Sequence, residues 1–127
     1  MNENKEYISQ LRDGGSVHIS EDVISSISAA AALEVEGVCG LGSGRNSDIS
    51  EILGKKGSGK GLRITIGESN EITIDCSIMV KLNHNIIDTA AAVQEAIATS
   101  VESVTGFKAC AVNVTVAGVA LPKEQKK

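Results

Sequence analysis

The segment Glu71–Leu82, EITIDCSIMVKL, alternates apolar and polar side chains along its whole length. Every even-numbered position is apolar, and every odd-numbered position except Met79 is polar. Because successive side chains of a β-strand point to opposite faces, this pattern predicts a long strand with one apolar and one polar face. The apolar face requires neighbouring strands and a covering layer.

Further segments repeat this alternation and supply the neighbouring strands. Leu62–Ile66 alternates in the same way, and Gly67–Asn70 then turns the chain back, so we expect a hairpin with the long strand. Val112–Val116 places valine at every second position near the C-terminal end. A short strand is also expected at Val17–Ile19, and Val38–Leu41 is either a short strand or an extended connection.

Two helices are expected to cover the apolar face. The first runs from Glu21 to about Glu36, after Ser20 as N-cap and before Gly37 as C-terminal stop. The second follows a cap at Asn85 and ends before a glycine. Its apolar residues recur at three- and four-residue steps, which places them on one stripe of the helix. They are Ile86, Ala90, Val93, Ile97, Val101 and Val104.

The resulting order of elements is β-α-(β)-β-β-α-β, and it predicts the fold class. Both helices must pack on one apolar face, so we expect an α+β two-layer sandwich of ferredoxin-like kind, with one mainly antiparallel sheet and two helices on one face. The expected organisation is a flexible N-terminal segment over 1–15 and a single domain over 16–121. A mobile glycine- and lysine-rich loop is expected over 42–61, and a disordered tail over 122–127.

The composition restricts the classes of function. A net charge of −4 and an aromatic content of 2% disfavour nucleic-acid binding through phosphate contacts or base stacking. The 3 cysteines are far apart and lack the spacing of metal ligands, so we expect buried reduced thiols in a cytoplasmic protein, with no metal and no cofactor. We find no signal-peptide pattern and no apolar run long enough to span a membrane.

The segment 54–61, GKKGSGKG, offers an alternative function. It fits the G-x-x-x-x-G-K part of a phosphate-binding loop, but it ends in glycine where serine or threonine would bind magnesium, and a strand follows it instead of a helix. Its first four residues resemble the GXXG loop of KH RNA-binding domains, whose following helix is also missing here. A solvated basic loop is the favoured interpretation. The alternative is a small RNA- or nucleotide-binding module that uses Lys55, Lys56 and Lys60.

No set of residues argues for catalysis. His18 and His84, the 2 histidines, are expected at the surface without a carboxylate or cysteine at a useful spacing. Asp88 is better explained by capping of the second helix, and Glu95 and Glu102 by its solvated side. Because no nucleophile motif is present either, we expect a protein without enzymatic activity or catalytic residues.

The outward face of the predicted sheet is the candidate interaction surface. Its side chains are polar but sparsely charged, and exposed sheet faces and edges commonly serve for association. Its members are Arg63, Thr65, Thr73, Asp75, Ser77, Met79, Lys81, Asn113 and Thr115. A face that is merely solvated fits the same pattern.

Short segments in a fixed order between Gly15 and Leu121 together resemble the alkaline shock protein family of bacterial envelope-stress proteins, which is widespread in Gram-positive species. The segments are 17–24 (VHISEDVI), 36–38 (EGV), 50–53 (SEIL), the hairpin strand through Lys81, 92–94 (AVQ), 104–106 (VTG) and 112–119 (VNVTVAGV). Gln94 within the second helix and the Thr105–Gly106 pair at its end are the most characteristic. One departure is Leu82–Asn83, where the family usually has an aromatic residue and glycine. Asparagine tolerates a left-handed backbone, so the turn is preserved without the ring.

The resemblance implies a non-enzymatic cytoplasmic protein that self-associates and works at the cell envelope, in some members through a small membrane-anchored partner. It brings no catalytic residues. A related branch lies beside a kinase-like protein in many genomes, so a metabolic partner stays open. We therefore expect an interaction protein of envelope-stress homeostasis that forms a homo-oligomer and docks on a membrane-anchored or metabolic partner.

Overall fold

The computed structural model describes residues 7–42 and 61–120. Within these ranges the elements are β1 (Tyr7–Arg12), β2 (Gly15–Ser20), α1 (Glu21–Leu33), β3 (Val38–Leu41), β4 (Leu62–Ile66), β5 (Ile72–Lys81), α2 (Ile86–Thr105) and β6 (Ala109–Ala120). β1 and β2 form a two-stranded sheet, and the other strands form the main sheet. The predicted α+β class, with two helices and mainly antiparallel strand pairing, is confirmed.

β5 is the central strand of the main sheet. β4 pairs antiparallel with its first half, over Ile72–Cys76, and β3 pairs antiparallel with its second half on the same side. Between them, the carbonyl of Ser77 accepts the N–H of Gly42 at 3.0 Å, and the N–H of Ser77 donates to the carbonyl of Gly61 at 2.8 Å. β3 and β4 are therefore two parts of one edge strand, which is interrupted between Gly42 and Gly61.

β6 lies on the other side of β5 and runs parallel to it, from Ala109 opposite Ile72 to Ala120 opposite Lys81. Parallel pairing requires a crossover that returns the chain to the same end of the sheet. The 20 residues of α2 provide this crossover. The main sheet thus combines one parallel ladder with the two antiparallel ladders of β5.

The core lies between the main sheet and the two helices. The even-numbered side chains of β5 are at most 2% exposed. α1 contributes Ile24 and Ala32, and α2 contributes Val93, Ile97 and Val101, all fully buried. Since each large aliphatic side chain stabilises the fold by roughly 1.5–3 kcal/mol on burial, the core does not need aromatic anchors.

The predicted helix caps are present. Ser20 Oγ accepts the N–H of Asp22 at 3.0 Å, and Asn85 Oδ1 accepts the N–H of Asp88 at 2.9 Å. Both bonds satisfy N–H groups of the first turn that have no partner within the helix. Gly106 follows α2 with a φ of 85°, the left-handed conformation that glycine adopts without strain.

The end of α1 differs from the prediction. The helix ends at Leu33, not near Glu36, because the next N–H groups bond three residues back and tighten the turn. Gly37 lies beyond this turn with a φ of +101°. A Cβ on it would lie 3.0 Å from Thr89 Oγ1 and 3.1 Å from His84 Cδ2. The glycine is therefore needed for a close approach to the start of α2.

The N-terminal segment also requires a correction. Residues 7–15, expected to be flexible, form β1 and the start of β2, which pair antiparallel. Ile8 is fully buried opposite Ile19. Asn70, in the turn between β4 and β5, donates Nδ2–H to the carbonyl of Ser9 at 3.0 Å and accepts the N–H of Ser9 on Oδ1 at 3.3 Å. Because these two bonds join residues far apart in the chain, the local sequence pattern could not predict them.

Candidate interaction surface

The outward side chains of β4, β5 and β6 form the face of the main sheet that points away from the core. We call this surface the open face. It consists of Arg63, Thr65, Thr73, Asp75, Ser77, Met79, Lys81, Asn113 and Thr115. These residues alternate with buried ones along their strands, so the strand pleat fixes their direction. Arg63, Lys81, Asn113 and Thr115 are exposed, and the others are half-buried.

A polar row crosses the middle of the open face. The strand register places Arg63 opposite Asp75, and Asp75 opposite Asn113. The amide Nδ2 of Asn113 donates a 2.9 Å hydrogen bond to Asp75 Oδ1. The carboxylate is thus held in one orientation between a guanidinium-bearing residue and an amide on neighbouring strands.

Short hydroxyl side chains lie on either side of this row. Thr65 is opposite Thr73 on β4 and β5, and Ser77 is opposite Thr115 on β5 and β6. Threonine pairs pack well on the pleated surface, and their short side chains give a flat sheet face. The structure therefore brings together most of the predicted site residues in three adjacent cross-strand rows.

Met79 is the apolar member of the open face, and it packs over a glycine that the alternation of apolar and polar residues does not identify as part of this surface. Gly118 lies opposite Met79, and a Cβ on Gly118 would be 2.9 Å from Met79 Sδ. A glycine within a strand pattern is typical of such a close approach and was the available signal. Lys81 lies beyond Met79 at the end of β5 and is exposed.

The two histidines differ in their exposure to solvent. His18 is exposed as predicted, and its Nδ1 lies 2.7 Å from Ser9 Oγ. His84 was expected at the surface but is half-buried. Its Nδ1 is buried without a hydrogen-bond partner among the described residues. The contact with Gly37 explains this burial, because it brings the ring against the turn that follows α1.

The cysteines also differ from the prediction that all are buried. Cys76 is buried in β5, whereas Cys39 and Cys110 are exposed. Burial raises the pKa of the Cys76 thiol to about 11. Cys39 lies at the register shift between β3 and β5, and Cys110 lies at a register shift between β6 and β5. The alternation of apolar and polar residues could not predict these shifts. Cys39 Sγ also donates to the carbonyl of Met79 at 3.5 Å.

A cavity of about 630 Å³ opens at the start of α1, beside β4 and the middle of β5. Charged side chains at its lining are those of Glu21, Asp22, Arg63 and Asp75. Over residues 7–42 and 61–120, no three histidine, cysteine or acidic side chains are grouped so that they could hold a metal ion. The absence of enzymatic activity stays a prediction.

The alternative site lies outside the described residues. Lys55, Lys56 and Lys60 all belong to the stretch 43–60, which the structure does not describe. The mobile loop over 42–61, the disordered tail over 122–127 and the RNA- or nucleotide-binding function therefore stay predictions. In the part of the chain that is described, no helix has both the length and the apolar character needed to cross a membrane.

The fold and the open face thus define a small α+β domain with a polar sheet surface. The model of the alkaline shock protein 23 (ASP23) family, described by a cell envelope-related function, matches residues 9–121. The chain therefore belongs to this family, and the resemblance found in the sequence is confirmed.

Two Bacillus subtilis (strain 168) proteins that are both called uncharacterized are similar to this chain. YqhY is 31% identical over 105 residues, which cover 83% of this chain and 77% of YqhY. YloU is 30% identical over 107 residues, which cover 83% of this chain and 88% of YloU. The similarity therefore extends over most of each protein.

Solved structures of MamM CTD variants share a broad likeness of the backbone. One has a TM-score of 0.45 at 19% identity and covers 81% of this chain and 96% of its own. Another has a TM-score of 0.47 at 16% identity and covers 81% and 94%. At this level the likeness says nothing about function.

Proposed function

We propose that this protein is a non-enzymatic interaction protein of envelope-stress homeostasis, which self-associates and docks its open face on a membrane-anchored partner protein from the cytoplasmic side. Membership of a family with a cell envelope-related function supports the place of action. The open face, a contiguous polar surface on the side opposite the helices, is the observation that carries the proposal.

The chemistry of the open face suits a protein partner. Its cations, Arg63 and Lys81, lie at separate places, so the face lacks the dense positive charge that attracts lipid headgroups or nucleic acid. The hydroxyl and amide groups provide donors and acceptors, and Met79 provides one adaptable apolar contact. A polar surface with a few anchoring side chains is typical of protein interfaces that form and dissociate.

Charge reversal on the open face tests the proposal. Arg63→Glu/Lys81→Glu should move the protein from the membrane fraction of its own cells to the supernatant. Arg12→Glu/Lys108→Glu is the matched control, because it changes the net charge equally at two exposed residues outside the open face. The control should bind membranes like the wild type. Equal membrane binding by all three proteins would contradict the role of the open face.

The nature of the partner needs a second measurement. Purified protein should bind membrane vesicles from the same cells and should lose this binding when a protease first removes their exposed proteins. Binding that survives the protease would indicate lipid recognition and contradict the proposal. A wild-type protein found wholly in the supernatant would contradict docking at a membrane.

A further inference from the structure

β6 forms an open edge of the main sheet. Within the described residues it pairs with β5 alone. It is 12 residues long and contains neither a charged residue nor a proline. Natural edge strands are usually short or carry lysine, proline or inward-pointing charges, which prevent pairing with another chain. β6 has none of these features. β-bulges are another such protection, but the two register shifts of β6 leave the pairing of residues 111–116 with β5 regular.

The backbone pattern shows which N–H and C=O groups of β6 point away from β5. Ser77 and Lys81 direct their backbone N–H groups toward the strand formed by β3 and β4, since they bond to Gly61 and Gly37. The backbone N–H and C=O groups of the even-numbered residues of β5 must therefore point toward β6. In a parallel ladder, the residues directly opposite them turn their own N–H and C=O groups away. These outward residues are Val112, Val114 and Val116.

α2 places an uncharged stripe beside this edge. Gln94 Nε2–H donates to the outward carbonyl of Val112 at 2.9 Å, so its side of the helix lies next to β6. Ile87, Ala91 and Ala98 share this stripe at helical spacing. Ile87 is 74% exposed and adds apolar surface to this stripe. The edge and the stripe together form a surface without charge in a chain of net charge −4.

We infer that the outer edge of β6 pairs with β6 of a second copy of this chain, antiparallel and about a two-fold axis at Val114. The inference rests on the proposed self-association and specifies its surface. The axis places Val114 opposite Val114 of the partner subunit, so that each residue exchanges both backbone hydrogen bonds. Val112 and Val116 then pair in the same way, and the carbonyl of Val112 has a second lone pair beside the bond from Gln94.

The side chains match under this symmetry. Val112 lies opposite Val116 of the partner subunit, and Asn113 lies opposite Thr115 of the partner subunit. β-branched pairs and hydrogen-bonding pairs both stabilise antiparallel ladders. Val114 and Val116, which are half-buried in one chain, become covered. Because β6 has no charged side chain, the two copies meet without like charges opposite each other.

An introduced charge at the axis tests the inference. The wild type should have the mass of a dimer by sedimentation equilibrium. Asn113→Lys/Thr115→Lys places ammonium groups opposite each other across the axis and should raise the dimer dissociation constant at least tenfold. Thr65→Lys/Gln10→Lys adds the same charge away from β6 and should remain dimeric. Circular dichroism must show the same fold for each variant.

A disulfide tests the register. In a background with Cys39→Ser and Cys110→Ser, Asn113→Cys/Thr115→Cys should form a covalent dimer on oxidation, because non-hydrogen-bonded antiparallel pairs bring Cα atoms to about 4.5 Å. Gln10→Cys/Thr65→Cys in the same background, on two different strands away from β6, should form none. This readout depends on the geometry of the pair and not on overall affinity.

The outcomes separate this inference from the proposed function. A wild-type protein that is monomeric at all concentrations overturns the inference. The open edge of β6 could then pair with an extended segment of another protein. A dimer that tolerates both lysines, or a failed cross-link, also overturns it. Membrane binding that depends on Arg63 and Lys81 would still support docking of the open face.

Discussion

Gly42 and Gly61 lie side by side, although residues 43–60 separate them in the chain. A Cβ on Gly61 would be 2.6 Å from the amide nitrogen of Gly42, and both glycines bond to Ser77. The ends of the intervening stretch therefore meet at one point of the edge strand. Continuity of the strand does not depend on that stretch.

The first prediction is that the fold survives deletion of residues 43–61. The deletion joins Gly42 to Leu62, opposite Ser77 and Cys76 respectively, so the ladder stays in register. The free energy of unfolding, measured by urea denaturation, should be unchanged or higher by about 1–2 kcal/mol. The reason is that each halving of a loop saves about 0.6 kcal/mol of closure entropy. A glycine–serine replacement of equal length is the control. Loss of a cooperative transition would contradict the prediction.

The second prediction concerns Gly37. Gly37→Ala should lower the free energy of unfolding by about 1–3 kcal/mol, because alanine is strained at a φ of +101° and its Cβ would press on Thr89 and His84. Gly40→Ala is the matched control. No atom lies within 4 Å of its added Cβ, and its φ is not positive. Chemical denaturation of the two variants should therefore differ, and equal effects would refute the role of the contact.

The third prediction is that Asn70 holds the N-terminal hairpin to the main sheet. Asn70→Gly keeps the left-handed backbone, with its φ of 65°, but removes both hydrogen bonds to Ser9. Hydrogen exchange at the amides of β1 should speed up at least tenfold, since each bond contributes about 0.5–1.5 kcal/mol. Exchange in β5 should change little.

Asn70→Ala separates the two roles of this residue. It removes the same hydrogen bonds and also strains the turn, because alanine disfavours a positive φ. Its loss of global stability should therefore exceed that of Asn70→Gly. If both variants exchanged like the wild type, the hydrogen bonds of Asn70 would not be what holds the hairpin.

The sequence predicted the features that depend on local periodicity. The alternation in β5 identified both its buried and its outward side, and the caps at Ser20 and Asn85 followed from residue type alone. The rest depended on contacts between distant segments. The exposure of Cys110 arises from a shift in the ladder with β5, and the burial of His84 arises from its contact with Gly37.

The candidate site also combines features that local periodicity predicts with features that depend on contacts between distant segments. Alternation was sufficient to select the members of the open face, but it could not order the strands. The row of Arg63, Asp75 and Asn113 depends on β6 lying parallel to β5, and this pairing follows from the crossover of α2. Gly118 beneath Met79 and the open edge of β6 depend on the same pairing.

The last prediction concerns Cys76 and alkaline pH. Burial raises the pKa of its thiol from 9.0 to about 11, because the core disfavours the thiolate. The folded state therefore binds the proton more tightly than the unfolded state, and the stabilisation is complete below pH 9. The free energy of unfolding should fall as the pH rises from about 9 to about 11.

Urea denaturation at a series of pH values checks this prediction against Cys76→Ala. The variant should be less stable at neutral pH because of the cavity, but its stability should decline less steeply over the same pH range. The difference in slope isolates the contribution of the Cys76 thiol, because all other side chains are common to both proteins. Cys76 should also resist alkylation in the native state at neutral pH, whereas Cys39 and Cys110 should react, because the reagent reaches only the exposed thiols. Parallel slopes would show that the burial of Cys76 does not control its ionisation. Equal alkylation of all three cysteines in the folded protein would show that Cys76 is accessible.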